Sequence, residues 1–375
     1  MLRRETWRHF DYLLFGTVIL LCAFGIVMIR SAIAGNEELA NSVRNQIIFV
    51  ALGMVLILVL AAINYRTWAS TTRLLYIGGI LLLVGIYLIG DAAFGSRRWF
   101  SVGGINIQPS ELGKIILIIT LANYFSNTTD DPHDLMWILK SFAITMGITI
   151  WVLLQPNLST AIVLLVIWFS MLWISGLKTR HILGAVGIGM VLLVVMLVLI
   201  LNGQQIPFLE DYQLERIQTF LFPDPNATHG ESYTIQQALI SIGSGGWFGT
   251  GYGSGPQVQL RFLKVRHTDF IFSAIAEEFG FVGITLVMAA LIFVVIRCLS
   301  IARRSMDTFG ALIAYGIAIL IFFQMAVNIG VNLQLLPVTG LTLPFISYGG
   351  SSLLSLVLGI GLVESVAVHS QTLDF

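Results

Sequence analysis

FGALIAYGIAILIFFQMAVNI, residues 309–329, carries no charged side chain across 21 positions. A helix rises about 1.5 Å per residue, so this run spans roughly 30 Å, the thickness of the hydrocarbon core of a bilayer. Hydrocarbon offers backbone amides no partner, which leaves helices and closed barrels as the only spanning structures. A barrel strand would alternate apolar and polar residues over about ten positions. This run does not alternate, and it reads as a transmembrane helix.

Working outward, similar runs lie at 12–29, 46–64, 74–90, 112–125, 137–154, 158–176, 182–201, 270–298 and 350–368. The run at 112–125 is short unless its helix begins near Ser110. The expected fold is therefore an all-α polytopic membrane domain over residues 1–375, with about ten transmembrane helices. A long extracytoplasmic loop, about 202–268, would join helices 7 and 8. Composition agrees: 57% of residues are hydrophobic and 11% charged, and mean hydropathy is +0.88, well beyond a soluble domain of about 45–50% apolar residues. Arg3, Arg4 and Arg8 precede an apolar run without a small-residue cleavage site, so the first helix reads as retained and not as a signal peptide. Net charge is zero and gives no ground for a nucleic-acid partner. Cys22 and Cys298 fall within or at the end of apolar helices and read as packing residues.

With alternating helices, Arg3, Arg4, Arg8, Arg66, Arg73, Lys140, Lys178, Arg180, Arg297, Arg303 and Arg304 share one side. The positive-inside rule makes that side the cytoplasm, with both termini there; Arg30 and Arg44 run against it. Three segments on the other side are unusually long or irregular: 91–111, 202–268 and 332–349. Function is expected on that outer face.

In the first segment, Arg97 and Arg98 flank Trp99 and Phe100 at the headgroup level, as phosphate ligands or as plain interfacial anchors. Pro109 and Ser110 open a helix, and Glu111 and Lys114 then share one face at i and i+3. Charges in an apolar span point inward, as a functional pair or a structural one. In the second segment, IPFLEDYQLERIQTFLF places Ile206, Leu209, Ile217, Phe220 and Leu221 on one face of an interfacial helix. SYTIQQALISIG reads as another short helix, and the following GSGGWFGTGYGSGP reads as tight turns more than as a phosphate cradle. In the third, Pro337, Gly340, Pro344, Gly349 and Gly350 rule out a continuous helix, so non-helical backbone lines a cavity near the membrane surface. Gln155, Pro156 and Asn157 break the chain at the same level.

The stretch KVRHTDFIFSAIAEEFGF, residues 264–281, concentrates charge at the start of the eighth run. Asp269 sits at the rim beside Arg266 and His267, either as a reactive carboxylate or as a helix N-cap. Glu277 and Glu278 lie two turns deeper, within the span.

These stretches resemble the SEDS family of cell-wall proteins (shape, elongation, division and sporulation). The resemblance rests on RRWFSVGGINIQPSELGK, QPNLSTA, RHTDFIFSAIAEEFGFVG and LPVTGLTLPFISYGGSSLL, and it covers essentially the whole chain. The elongation branch is the nearer, and the division branch is similar. The resemblance implies a peptidoglycan glycosyltransferase that polymerises lipid II in the bacterial cytoplasmic membrane. It implies as partners a class B penicillin-binding protein, undecaprenyl-type lipid and other elongation-complex membrane proteins. The family's essential aspartate matches Asp269. Arg97, Arg98, Lys114, Arg266, His267 and Ser347 are candidates for binding substrate or pyrophosphate, with Glu111, Asn157, Glu277, Glu278, Pro344 and Gly349 in supporting roles. A divalent cation, Mg or Mn, would sit on Asp269 if one is used. Asn157 and Ser159 depart from the family's QPDLGTA, so a role needing negative charge at 157 is in doubt. A lipid II flippase and a scaffold for the transpeptidase remain as alternative functions.

Overall fold

The computed structural model describes residues 6–36, 39–89, 91–93, 96–102, 105–129, 134–201, 211–224 and 226–370. Ten helices correspond to the ten apolar runs: α1 (Tyr12–Ala32), α2 (Ala40–Ala62), α3 (Arg66–Ile89), α4 (Pro109–Asn127), α5 (Leu135–Leu154), α6 (Leu158–Ile174), α7 (Thr179–Leu201), α11 (Ile271–Arg304), α12 (Thr308–Asn332) and α13 (Gly350–His369). Among the described residues seven of them, α1, α2, α3, α5, α11, α12 and α13, are long and apolar enough to cross a membrane. Between α7 and α11 lie three shorter helices, α8 (Asp211–Leu221), α9 (Gly230–Ser244) and α10 (Pro256–Gln259).

The expected interfacial helix at 206–222 is therefore present as α8, while Ile206 and Leu209 lie outside the described residues. Helix α4 begins at Pro109, where proline at the first turn gives up an amide that a helix start leaves unpaired anyway. That start is early enough to make the fourth run a full 19-residue helix. Segment 91–107 folds into a small antiparallel sheet, β1 (Asp91–Ala93), β2 (Ser96–Val102) and β3 (Ile105–Ile107), in the order β1-β2-β3.

The core runs along α4, α12 and α13. Of the apolar stretches of α12 and α13, 67% and 72% is buried, against 22% for α3, so α12 and α13 are central and α3 faces outward. Close approach is built in by glycine: a Cβ at Gly25 would meet the Ile346 carbonyl oxygen at 2.6 Å. This seats α1 directly against the non-helical segment 333–349.

Helix α11 is broken at Gly280, which has φ 65° and ψ −163°. The glycine-rich stretch before α10 packs into the break. Phe281 and Val282 donate their N–H groups to the carbonyls of Gly246 and Trp247 at 2.8 and 3.0 Å. In return Thr250 and Gly251 donate to Glu277 and Glu278 carbonyls at 2.9 and 3.0 Å. The break frees backbone groups inside a span, and the loop satisfies them as such positions require. Two amides of this glycine-rich loop, those of Thr250 and Gly251, are thus committed to α11. Glycine is required at the contact, since a Cβ at Gly280 would stand 2.4 Å from the Gly249 nitrogen.

Candidate active site

Asp269 closes the turn that leads into α11. It does not cap the helix: the N-cap position is Phe270, without a side-chain hydrogen bond. The main chain of Asp269 is held instead. Its carbonyl accepts from Asn328 Nδ2 at 3.0 Å and Asn332 Nδ2 at 2.9 Å. These asparagines are one turn apart on α12, and each reaches further. Asn328 Nδ2 also donates to the Leu341 carbonyl at 2.8 Å, and Asn332 Oδ1 accepts from the Ser273 hydroxyl at 2.6 Å and its amide at 3.1 Å. Three chain segments are locked together behind the Asp269 carboxylate.

The non-helical segment after α12 supplies the facing wall. A Cβ at Gly340, whose φ is +76°, would lie 3.9 Å from Asp269 Oδ2, so this bend brings bare backbone to the carboxylate. Ser347 donates to the Thr268 carbonyl at 2.7 Å and accepts from the Leu343 amide at 2.9 Å. Tyr348 donates its amide to the His267 carbonyl at 2.9 Å. Pro344 is buried in this segment, and Gly349 serves as the N-cap residue of α13. Ser159, at the start of α6, donates to the Thr339 carbonyl at 2.6 Å, and Asn157 caps α6 by accepting from the Thr160 amide at 3.2 Å. Asparagine performs that capping without a charge.

Asp269 is also perturbed electrostatically. Burial raises its carboxyl from 3.8 to about 6, against the lowering pull of Arg216 and of a Thr268 hydrogen bond. Its surface is partly exposed, which fits a group at a rim with crowded walls. Arg216, on α8, pairs with Glu231, on α9, at 3.0 Å, and both act on Asp269. Asn328, Asn332, Arg216 and Glu231 were absent from the sequence-based candidates. The two asparagines at i and i+4 within an apolar span were a readable signal; the loop pair had none.

Several candidates prove to have other duties. Arg266 is buried, with Nε bonded to the Ala32 carbonyl and Nη1 donating to the Leu263 carbonyl at 3.3 Å. It staples the turn to the end of α1 and does not face Asp269 as a free cation. Burial, aided by Arg266, lowers the pKa of His267 below the usual value for imidazole. Ser347, with its hydroxyl engaged twice, ties the Thr268 carbonyl to the Leu343 amide. Glu277 accepts from the Gln257 and Val258 amides at 2.7 and 3.1 Å, so it caps α10; Glu278 binds the Ser31 hydroxyl on α1.

Lys114 is fully buried, with Nζ 2.7 Å from Glu111 Oε2. The Glu111 carbonyl accepts from Ser355 of α13 at 2.7 Å, which places the pair inside the bundle as the sequence pattern requires. The side chains of Arg97 and Arg98, on β2, lie outside the described residues. Among the described residues no three His, Cys, Asp or Glu side chains converge as metal ligands. One carboxylate completed by water and phosphate oxygens is nevertheless a donor set that suits Mg²⁺.

Comparison with known proteins follows the same lines. Peptidoglycan glycosyltransferase MrdB of Escherichia coli strain K12 is 34% identical over 370 residues, covering 98% of this chain and 95% of MrdB. A probable peptidoglycan glycosyltransferase FtsW of Trichlorobacter lovleyi is 36% identical over 371 residues, covering 96% and 93%. Among solved structures, a chain of a peptidoglycan synthase complex, described for its coordination of polymerization and crosslinking, superposes with TM-score 0.79 at 30% identity, covering 96% of this chain and 97% of that one. The rod shape determining protein RodA of Thermus thermophilus superposes with TM-score 0.71 at 30% identity, covering 98% and 99%. Residues 11–372 match the cell cycle protein family of FtsW, RodA and SpoVE, and the chain belongs to that family.

Proposed function

We propose that this protein is a peptidoglycan glycosyltransferase that polymerises lipid II during cell elongation, working beside a class B penicillin-binding protein. The observation that carries the reading is full-length kinship with the glycosyltransferase MrdB. The likeness to a synthase complex that couples polymerization to crosslinking supports the partner. In this reading the chain is a single domain in the cytoplasmic membrane. Both termini are inside, residues 202–268 and the Asp269 site are outside.

The reaction joins the 4-hydroxyl of one lipid-linked disaccharide to the anomeric carbon of another and releases a polyprenyl pyrophosphate. Asp269 acts as general base on that hydroxyl. A carboxyl at about 6 is ionised at pH 7 yet near enough to the working pH to accept a proton efficiently. Gly340 leaves room for the acceptor sugar, and the Asn328 and Asn332 amides fix the backbone from which the carboxylate projects. Arg216 is the cation best placed to act on charge developing near Asp269, and Arg97 and Arg98 remain candidates for the pyrophosphate. A divalent cation bound by Asp269 would supply further stabilisation of the leaving group.

The test is a polymerisation assay with purified protein, lipid II and the partner transpeptidase inactivated at its own active site. Glycan strands are expected. Their absence, together with lipid II translocation by the same protein in liposomes, would replace the transferase by a flippase.

A further inference from the structure

A groove of about 870 Å³ opens between the end of α6, the end of α11 and the start of α12. The groove lies at the far end of α11, 27–35 residues after Asp269, which is roughly 40–50 Å for a continuous helix and less across the break at Gly280; this places it toward the opposite end of the bundle. Its walls are apolar: Ile174 and Ile296 are 57% and 54% exposed, and Leu299 and Leu312 line the interior. Its mouth is not. Arg303 and Arg304 both line it and both are exposed.

Two arginines on the same side of the bundle are already paired. Arg66 meets Asp307 at 2.8 Å, and Arg297 Nε meets Asp11 at 2.9 Å. Among the described residues Arg303 and Arg304 form no ion pair or hydrogen bond. The groove runs eight residues from Arg304 back to Ile296, about 12 Å, which is most of the roughly 15 Å half-thickness of the hydrocarbon core. An apolar cleft of this kind suits acyl chains, and two guanidiniums at its mouth suit a phosphate.

We propose that this groove is a binding site for one anionic diacyl phospholipid of the leaflet opposite the Asp269 site, its phosphate held by Arg303 and Arg304 and its chains lying along Ile296 and Leu299. The proposal does not depend on the reaction assigned to Asp269.

The test uses full-length protein equilibrated with vesicles of phosphatidylglycerol and phosphatidylcholine, with the retained lipid identified by native mass spectrometry. Wild type is expected to retain phosphatidylglycerol about thirtyfold over its bulk fraction, the combined preference of two cations near an anionic lipid. R303Q/R304Q should return the retained lipid to the bulk ratio. A311F, which fills the groove, should lose bound lipid of both kinds, and K140Q, an exposed cation of α5, should behave as wild type. Melting temperatures in detergent should match for all variants, which separates lost binding from lost folding. Undiminished enrichment in R303Q/R304Q overturns the proposal. So does displacement of the lipid by glycerol phosphate or by polyprenyl phosphate at equal concentration, because the site would then select a phosphate or a prenyl chain and not a diacyl lipid.

Discussion

Replacing Asp269 by asparagine removes a charge while keeping the shape of the side chain, so it separates catalysis from architecture. The Asp269 carbonyl held by Asn328 and Asn332 is untouched by the change. What changes is the carboxylate, which burial raises from 3.8 to about 6. Between those pH values the folded protein binds a proton that the unfolded chain has lost. Stability therefore falls as pH rises from 3.8 to about 6 and stays lowered above that. At about 1.4 kcal/mol per pH unit the full penalty at pH 7 is on the order of 3 kcal/mol. Solvent screening of a partly exposed group reduces it to about 1–2 kcal/mol. Asp269→Asn should then melt a few degrees higher than wild type at pH 7 and nearly alike at pH 4. Polymerisation, followed as glycan strands made from lipid II with the partner present, should drop by about a hundredfold or more, the contribution of a general base. Wild-type polymerisation by the variant would refute the catalytic reading. A lower melting temperature at pH 7 would refute the electrostatic one.

Wild-type polymerisation should decline as pH falls through about 6, because the protonated carboxyl cannot accept the hydroxyl proton; a rate independent of pH from 5 to 8 would exclude Asp269 as the base. Lys114→Met strands the buried Glu111 charge and should destabilise by about 3–5 kcal/mol, whereas Glu111→Leu with Lys114→Met should recover the melting temperature while polymerisation stays low; recovery of both would make the pair purely structural. Gly280→Ala combines a strained φ of 65° with a contact at 2.4 Å, so a loss of about 2–5 kcal/mol is expected, read as a lower melting temperature and reduced accumulation. Cysteines placed at Gly35 and His229 should react with an impermeant maleimide added to cells, and one at Ser305 should not; the inverse pattern would place Asp269 in the cytoplasm.

The helical bundle was legible because apolar length alone specifies it, and the inward placement of Glu111 and Lys114 followed from the expense of lipid-exposed charge. The break in α11 was not. GFVG inside an apolar run reads as helix, and only the contact between Gly280 and Gly249, 31 residues earlier, shows why glycine stands there. The sheet at 91–107 was similarly hidden, since its strands are three to seven residues long and show no clear alternation. At the site, Asp269 was readable from its motif, but the directions of its neighbours were not. Arg266 and His267 adjoin it in sequence, yet Arg266 turns toward Ala32 and burial lowers the pKa of His267. Ser347, a candidate for substrate binding, is engaged by both Thr268 and Leu343. Sequence proximity gives the residues of a turn and leaves their orientations to tertiary contacts.

Those contacts also distinguish Asp269 from several other buried or half-buried acids. Glu277 accepts from two amides of α10, Glu278 accepts from Ser31, and Glu111 is ion-paired with Lys114. Asp11 bonds the Leu14 amide at 3.0 Å and Arg297, and it donates its own amide to Glu364 at 2.9 Å. Asp307 binds the Gly310 amide, the Tyr65 hydroxyl and Arg66; burial pushes its carboxyl up, but these donors together hold it below the usual value. Each of these carboxylates serves the fold, and removing its charge would loosen a joint. At Asp269 the joint is made by the main-chain carbonyl, and among the described residues the carboxylate forms no ion pair. Position is thus fixed by neutral amides, which neither titrate nor neutralise the acid, while the charge is left under-compensated and available. In the proposed reading, an acid whose ionised form costs stability and that sits where a hydroxyl can approach is placed for proton transfer, and its raised pKa fits that role.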